Sequence, residues 1–389
     1  PSRRLMQEET WDAVIAGCGL AGLSLAHALS LHRKDSFRIL LLDIEKRRGR
    51  DHTWCFWEPG EGDWESCNSW EWKQVQVGLS GNLHKYDLEK YRYKILESDR
   101  FYEFVWIELE QESRFEFRLA LIAEIRDGAL GMAEVETDDG SVFSAHQIFT
   151  SIPEEETSIR TWQHFLGWEV KTQKAAFNPD VATLMDFKPD EDGEVRFLYV
   201  LPKSEQEALV EFTVFGPRVW QEERYTRFLI DYLRSELEVG SWVVKYEEKG
   251  AIPMSGDLGK SLNHGSRIQR IGTAGGAVKA STGYAFSRIQ RESRWIAEHW
   301  ELGKACPKPK PSWLYRSCDA TLLELIRVGE FPVSTYFDGL FRRWGGDRVL
   351  DFLDERASPS EVLEIMVYSP WKVFIPAWIR ANWTRKKDG

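Results

Sequence analysis

WDAVIAGCGLAGLSLAHALSLHRKDSFRILLLD, Trp11 to Asp43, decides the fold, because a strand, a glycine turn, a helix and a second strand follow one another in it. Ala13 to Ala16 is a short apolar run suited to a buried parallel strand. Gly17, Gly19 and Gly22 then give the spacing G-x-G-x-x-G. The first glycine permits a tight turn and the second lets a pyrophosphate reach the backbone. The third lets the helix pack on the strand with its amides aimed at phosphate. The run Arg38 to Leu42 ends on Asp43, about 20 residues after the last glycine, where a carboxylate accepts hydrogen bonds from ribose hydroxyls. The competing reading is a membrane span, since Ala13 to Leu31 carries no Asp, Glu, Lys or Arg and reaches the required length. The glycines in its first half and the polar His27 favour a turn and a helix instead.

The 389 residues allow one large domain or roughly two to three smaller ones. A formal net charge of -11 makes the bulk surface repel nucleic acid, so none is expected as a partner. Five cysteines (Cys18, Cys55, Cys67, Cys306, Cys318) without a C-x-x-C argue against a disulfide framework or structural zinc, and no metal is predicted. A reducing, cytoplasmic setting is expected. No basic segment followed by an apolar run opens the chain, so no secretory signal is read. Pro1 is not a translation start, and Met6 is read as the native one.

After Asp43 comes DHTWCFWEPGEGDWE, Asp51 to Glu65, read as a loop whose aromatics Trp54, Phe56, Trp57 and Trp64 either cap a core or fold over a cofactor or apolar ligand. Glu71 to Tyr93 reads as short strands, with a helix beginning within Leu88 to Ile95. Phe115 to Leu119, Leu121 to Arg126, Met132 to Thr137 and, after the Asp139-Gly140 turn, Ser141 to Ile148 read as a β-meander. Glu169 to Lys174, Val181 to Phe187, Val195 to Leu201 and Ala208 to Phe215 read as an antiparallel sheet in a second domain. Gln221 to Glu238 reads as an amphipathic helix, and Val243 to Gly250 leads back. Ile268 to Gly276 is a last strand whose Gly275 and Gly276 offer backbone amides to a second part of a cofactor, before a helix from Ala285 to Trp300. Pro307 to Pro311 breaks the chain, and the remainder reads as helical. Two apolar, aromatic and basic stretches near the end, TYFDGLFRRW and WKVFIPAWIRANWTRKK, suit a surface lying in lipid headgroups, with Lys372, Arg380, Arg385, Lys386 and Lys387 as the basic residues.

With GCGLAG, DHTWCFWE, FLYVLP followed by ALVEFTVF, GAIPMS and GGAVKASTGYAF in this order, nearly the whole chain resembles the flavin-dependent lycopene cyclases of bacterial carotenoid synthesis. The resemblance implies an α/β fold: an FAD-binding, Rossmann-like unit of the aromatic-hydroxylase type with an antiparallel β substrate domain and a helical C-terminal region. It implies an FAD-binding domain of residues 1–70, 95–155 and 266–305, a substrate domain of 71–94 and 156–265, and a helical region of 306–389. It also implies an isomerase-like activity, closing the ends of lycopene or another linear carotene to β-rings, through γ-carotene to β-carotene, with reduced FAD and no net redox change. NAD(P)H is a candidate reductant, and other carotenoid enzymes are candidate partners. The expected location is cytoplasmic, peripheral at the inner face of the cell membrane. The paired glutamates of the plant enzymes appear here as Glu211-Phe212, which leaves Glu211 alone as the matching acid.

Proton addition at C2 of lycopene leaves a cation at C1, the C5=C6 bond attacks it, and loss of the C6 proton gives the ring. Glu211 is the candidate acid/base group. Alternation in ALVEFTVF puts Leu209, Glu211 and Thr213 on one strand face, and a carboxyl in so apolar a strand is costly unless paired or neutral. Asp51 and Glu58 are rival acids. The alternative function is an FAD- and NAD(P)H-dependent monooxygenase acting on an apolar substrate. Such hydroxylases carry an Asp-Gly pair where this chain reads FTSIP and a Gly-Asp where it reads IGTAGG. A polyene carrier is a third reading, in which a flavin site has no use.

Overall fold

The computed structural model describes residues 9–33, 36–153, 159–191, 193–256, 258, 267–307 and 312–385. Met6, residues 308–311 of the proline break, and Lys386 and Lys387 lie outside them. In chain order the elements begin with β1 (Glu9–Ala16), α1 (Leu20–His32), β2 (Ile39–Asp43), β3 (Thr53–Pro59), β4 (Trp70–Trp72), β5 (Gln74–Leu79), β6 (Asn82–Asp87), β7 (Tyr91–Glu97) and α2 (Ser98–Glu110). Next come β8 (Phe115–Leu119), β9 (Ile122–Asp127), β10 (Ala133–Thr137), β11 (Val142–Thr150), β12 (Trp162–Thr172), β13 (Val181–Glu191), β14 (Glu194–Pro202), β15 (Glu207–Gly216) and α3 (Glu222–Asp231). The chain closes with β16 (Trp242–Pro253), β17 (Ile268–Arg270), α4 (Phe286–His299), α5 (Trp313–Val328), α6 (Val333–Leu353), α7 (Pro359–Tyr368) and α8 (Trp371–Arg385).

The first sheet runs β8-β2-β1-β11-β10-β9, with β17 paired to β11. Its parallel core is β8, β2, β1 and β11, and only β9, β10 and β11 form an antiparallel meander. Phe115 to Leu119 was expected in that meander but pairs in parallel with β2, because α2 makes the crossover that a parallel neighbour needs. β2 is buried along its length, and α1 is buried from Ala21 to Ser30. This explains the uncharged run that mimics a membrane span: α1 lies between the sheet and α2 and α4, where Leu23, Leu25, Ala26 and Leu29 join one core cluster. Each such leucine contributes about 1.5–3 kcal/mol by leaving water.

The second sheet has order β16-β12-β15-β14-β13-β5-β6. One face packs against α3 through Leu166, Trp168, Val210, Phe212 and Leu229. The other packs against a small sheet, β3-β7-β4, and against α6, through Trp57, Tyr93, Phe197, Phe215 and Phe337. Thr53 to Pro59 of the segment read as a loop is therefore a strand, because Cys55, Phe56 and Trp57 pair with Ile95, Lys94 and Tyr93 of β7. The helix expected within Leu88 to Ile95 begins at Ser98, since the aromatic and branched residues YRYKILE favour the strand. The domain edges at 70/71 and 94/95 fall inside β4 and β7.

TYFDGLFRRW lies in α6 with Phe337, Leu340 and Phe341 buried, so it does not face lipid: core packing claims its apolar side. No single helix among the described residues is long and apolar enough to cross a membrane. α7 and Trp371–Asn382 of α8 reach that length together but are bent by 114°.

Candidate active site

The glycine turn after β1 is built by close approach. Gly17 has φ +94°, and a Cβ on Gly22 would lie 1.9 Å from the Gly17 carbonyl oxygen, whereas one on Gly19 would meet nothing within 4 Å. Gly22 thus lets α1 dock, and Gly19 leaves open space above the turn. α1 starts with no side-chain cap and no acidic residue in its first turn, so its leading amides stay available to an anion. Asp43 Oδ2 accepts the Cys18 amide at 2.6 Å and Oδ1 the Ile44 amide at 2.7 Å. An ionised carboxylate has about four acceptor positions, so both oxygens retain capacity for ribose hydroxyls. These residues fit a dinucleotide.

Gly275 and Gly276 do not offer free amides. Their N–H groups donate to the carbonyls of Ile271 and Thr273, at 3.1 and 3.0 Å, because the chain after β17 tightens into a 3-10 turn. What they provide is approach: a Cβ on Gly275 would sit 2.5 Å from the Arg270 carbonyl oxygen.

The acid site lies on the inner face of the second sheet. Gly167 of β12 stands opposite Glu211 of β15 in one antiparallel ladder and opposite Glu248 of β16 in the other. Tyr199 of β14 stands opposite Glu211 on its far side. Directly opposed residues share a face, so Glu248, Gly167, Glu211 and Tyr199 form one row across four strands. A Cβ on Gly167 would lie 3.3 Å from Glu248 Cγ and 3.4 Å from Glu211 Cβ and Cγ. The side chain missing at Gly167 is the space into which both glutamates lean.

Burial, and then the like charge of Glu248, hold Glu211 protonated well above the usual carboxylate range, against a Thr213 hydroxyl bond that pulls the other way. Burial also raises Glu248, but the Thr53 hydroxyl, the Arg50 guanidinium and the His52 imidazole favour its charged form. The proton of the pair therefore belongs on Glu211. Glu211 keeps a partly accessible edge, as a donor to a ligand requires, whereas Glu248 is buried.

Around this row, Tyr199 and Tyr284 bring their hydroxyls to 3.2 Å, and Tyr284 packs edge-on to Trp57 with ring centroids 4.7 Å apart. Tyr284 is presented by Gly283, whose Cβ would lie 1.8 Å from Gln163 Oε1, so the GYAF segment is pressed onto β12. Burial, Glu211 and Glu248 together push the Cys55 thiol up. On the Glu248 side, Arg50 bonds Glu169 at 2.6 Å, Glu97 at 3.0 Å and Thr53 Oγ1 at 2.9 Å. Lys203 completes the square at 2.5 Å to Glu97 and 2.7 Å to Glu169.

The rival acids are tied elsewhere. Asp51 is held far below the usual carboxylate range despite burial, by bonds from His52, Ser98 and Tyr102. Glu58 is raised by burial but bonds the buried Lys94 at 3.0 Å. The sequence reading missed Glu248. In VVKYEEKG the run Glu247-Glu248-Lys249 looks solvated, and the available signal was the period-two spacing of Tyr246, Glu248 and Gly250 on one strand face.

The chain belongs to the lycopene cyclase protein family, whose sequence profile matches residues 12–377. It is 24% identical to a lycopene beta-cyclase of Pseudescherichia vulneris over 312 residues, 75% of each chain. It is 25% identical to a lycopene beta-cyclase of Pantoea ananas over 260 residues, 63% of each chain. Among solved structures it is similar to the flavin-dependent brominase Bmp2, with TM-score 0.60 at 12% identity over 93% of this chain and 100% of that one. The halogenase PltM gives 0.61 at 11% identity over 97% and 93%. A geranylgeranyl bacteriochlorophyll reductase-like protein of Thermoplasma acidophilum gives 0.57 at 12% over 96% and 98%. The α/β fold with a helical C-terminal region is shared with these proteins.

Proposed function

We propose that this chain is a lycopene β-cyclase that binds FAD and closes the ends of lycopene by proton transfer without net redox change. The observation that carries the reading is Glu211, a carboxyl held protonated on the inner face of an apolar sheet within a chain of the lycopene cyclase family. Glu211 donates to C2 of a terminal alkene, the C5=C6 pair attacks the cation at C1, and the C6 proton is lost. Aromatic faces such as Trp57 and Tyr284 stabilise the cation by ~2 kcal/mol each when dry.

Gly17, Gly19, Gly22 and Asp43 hold the cofactor's pyrophosphate and ribose, with Gly275 and Gly276 providing a second close approach. Residues 1–70, 95–155 and 266–305 then serve FAD, and 71–94 and 156–265 the substrate, with β4 and β7 joining the two. Bound reduced FAD supplies negative charge that favours a developing cation, with NAD(P)H as a candidate source of its electrons. Lycopene resides in bilayers, so the protein is placed at the inner face of the cell membrane, attached through α7 and α8. Their Val367 and Trp371 are 78% and 65% exposed.

The test is anaerobic turnover of lycopene in lipid with oxidised and then dithionite-reduced FAD, with products identified by chromatography. Ring formation is expected with reduced flavin alone. Equal rates in both states would sink the reduced-flavin requirement, and stoichiometric consumption of NADPH and oxygen would indicate the monooxygenase.

A further inference from the structure

We propose that Glu248 is the second acid–base group of this site, accepting the proton that leaves C6 while Glu211 donates the one that enters at C2. The inference rests on the cyclase reading and adds a residue to it. Ring closure takes up one proton and releases one, so the site needs an acceptor as well as a donor.

The row across the sheet supplies both. Glu248 and Glu211 flank the bare Cα of Gly167 on adjacent strands. Glu248 is 6% exposed, and its Oε2 is buried without a hydrogen-bond partner. A buried carboxylate oxygen with no donor is costly and calls for an explanation on the side it faces.

The groups facing the two carboxyls differ, and the difference assigns the roles. Glu248 is faced by Arg50 and His52 from the segment before β3, by Thr53 and Cys55 of β3, by Glu169 of β12, by Glu211 of β15 and by Tyr246 on its own strand. Of these, Thr53, Arg50 and His52 favour its anion. Glu211 is faced by the neutral Tyr199, Tyr284 and Cys55 and by Glu248 itself, and no cation among the described residues favours its ionisation. Donor and acceptor are thus set apart by environment, as in other paired-carboxyl sites.

The cycle balances. The Glu211 O–H bond breaks and C2–H forms; C6–H breaks, its electron pair becomes the new ring double bond, and Glu248 O–H forms. Passage of that proton from Glu248 to Glu211 across Gly167 restores the starting state.

The test uses the full chain with reduced FAD and lycopene in liposomes, comparing wild type, Glu248→Gln and Gly167→Ala. Gln keeps the size of Glu248 but accepts no proton, so a loss of about 100-fold in kcat is expected with flavin binding intact. In the wild type the rate should rise with pH as Glu248 ionises and fall as Glu211 does, and the rising limb should vanish in E248Q. Gly167→Ala pushes the carboxyls apart and should also slow turnover.

Infrared titration of the protonated-carboxyl stretch without substrate is the second readout. The midpoint assigned to Glu211 should move down by about one unit or more in E248Q, because the like charge is gone. A full rate in E248Q with an unmoved midpoint overturns this inference alone. A wild-type protein that makes no cyclic product overturns the cyclase reading and this inference with it.

Discussion

Thr213 donates its hydroxyl to Glu211 Oε1 at 2.7 Å along the same face of β15. The bond favours the ionised form, so Thr213 tunes the acid downward against burial and Glu248. Glu211→Gln should reduce cyclisation at least ~100-fold while flavin binding is retained, since Gln preserves size but delivers no proton. Thr213→Val should keep activity and move the alkaline limb of the pH–rate profile to higher pH. A Glu211→Gln enzyme at near the original rate transfers the acid role elsewhere.

The same pair should make the protein less stable as pH rises. Glu211 and Glu248 both have raised pKa values in the folded state. Between the ordinary value of about 4.3 and those raised values the folded chain therefore binds more protons than the unfolded chain. Stability from the pair is full below that window and is lost as pH climbs through it, by about 1.4 kcal/mol for each unit of raised pKa. Glu211→Gln removes one titrating group. It should unfold at a higher temperature than wild type at pH 8, with the gap closing toward pH 4. Thermal scans of both proteins across that range measure it, and a constant gap would show that the pair does not titrate with folding.

How much was legible follows from how local each feature is. The Gly17 to Asp43 unit depends on neighbours in sequence, and Glu211 stands out because Val210, Phe212 and Val214 surround it. Glu248 was illegible. Its significance comes from two ladder registers that meet at Gly167, residues far apart along the chain. Gly275 and Gly276 were misjudged in role, because a run of glycines after a strand looks the same whether its amides point to a ligand or close a 3-10 turn. TYFDGLFRRW and WKVFIPAWIRANWTRKK look alike in composition. Packing separates them, since Phe337 and Phe341 meet the second sheet's core, while Trp371 and Ile375 stay exposed. The basic charge expected at the second stretch is also partly spent, because Arg380 bonds Glu324 of α5 at 2.9 Å.

Asp43 ties the glycine turn to the end of β2 and, on the FAD reading above, is the ribose acceptor. Its two oxygens already order the amides of Cys18 and Ile44, so Asp43→Ala should loosen the turn and remove the ribose acceptor together. A hydrogen bond to a charged group is worth roughly 1.5–3 kcal/mol, so FAD affinity should drop about tenfold or more. Flavin fluorescence titration reads this directly. An unchanged affinity would remove Asp43 from the cofactor site.

The exposed face of α7 and α8 is the last feature with a measurable consequence. Leu363, Val367, Trp371 and Ile375 are 59%, 78%, 65% and 51% exposed, and they sit on either side of the 114° bend between the two helices. On the attachment proposed above, this bent pair lies in the headgroup and acyl boundary. Full burial of one such side chain is worth roughly 1.5–3 kcal/mol. The combined change of Val367, Trp371 and Ile375 to Ser should therefore lower sedimentation with anionic liposomes by about tenfold or more, with the fold intact by circular dichroism. Leu130, fully exposed at 100% in the β9–β10 connection, is the control, and Leu130→Ser should pellet as the parent does. If the triple variant pellets as completely as the parent, α7 and α8 are not the anchor, and the exposed apolar face needs another occupant.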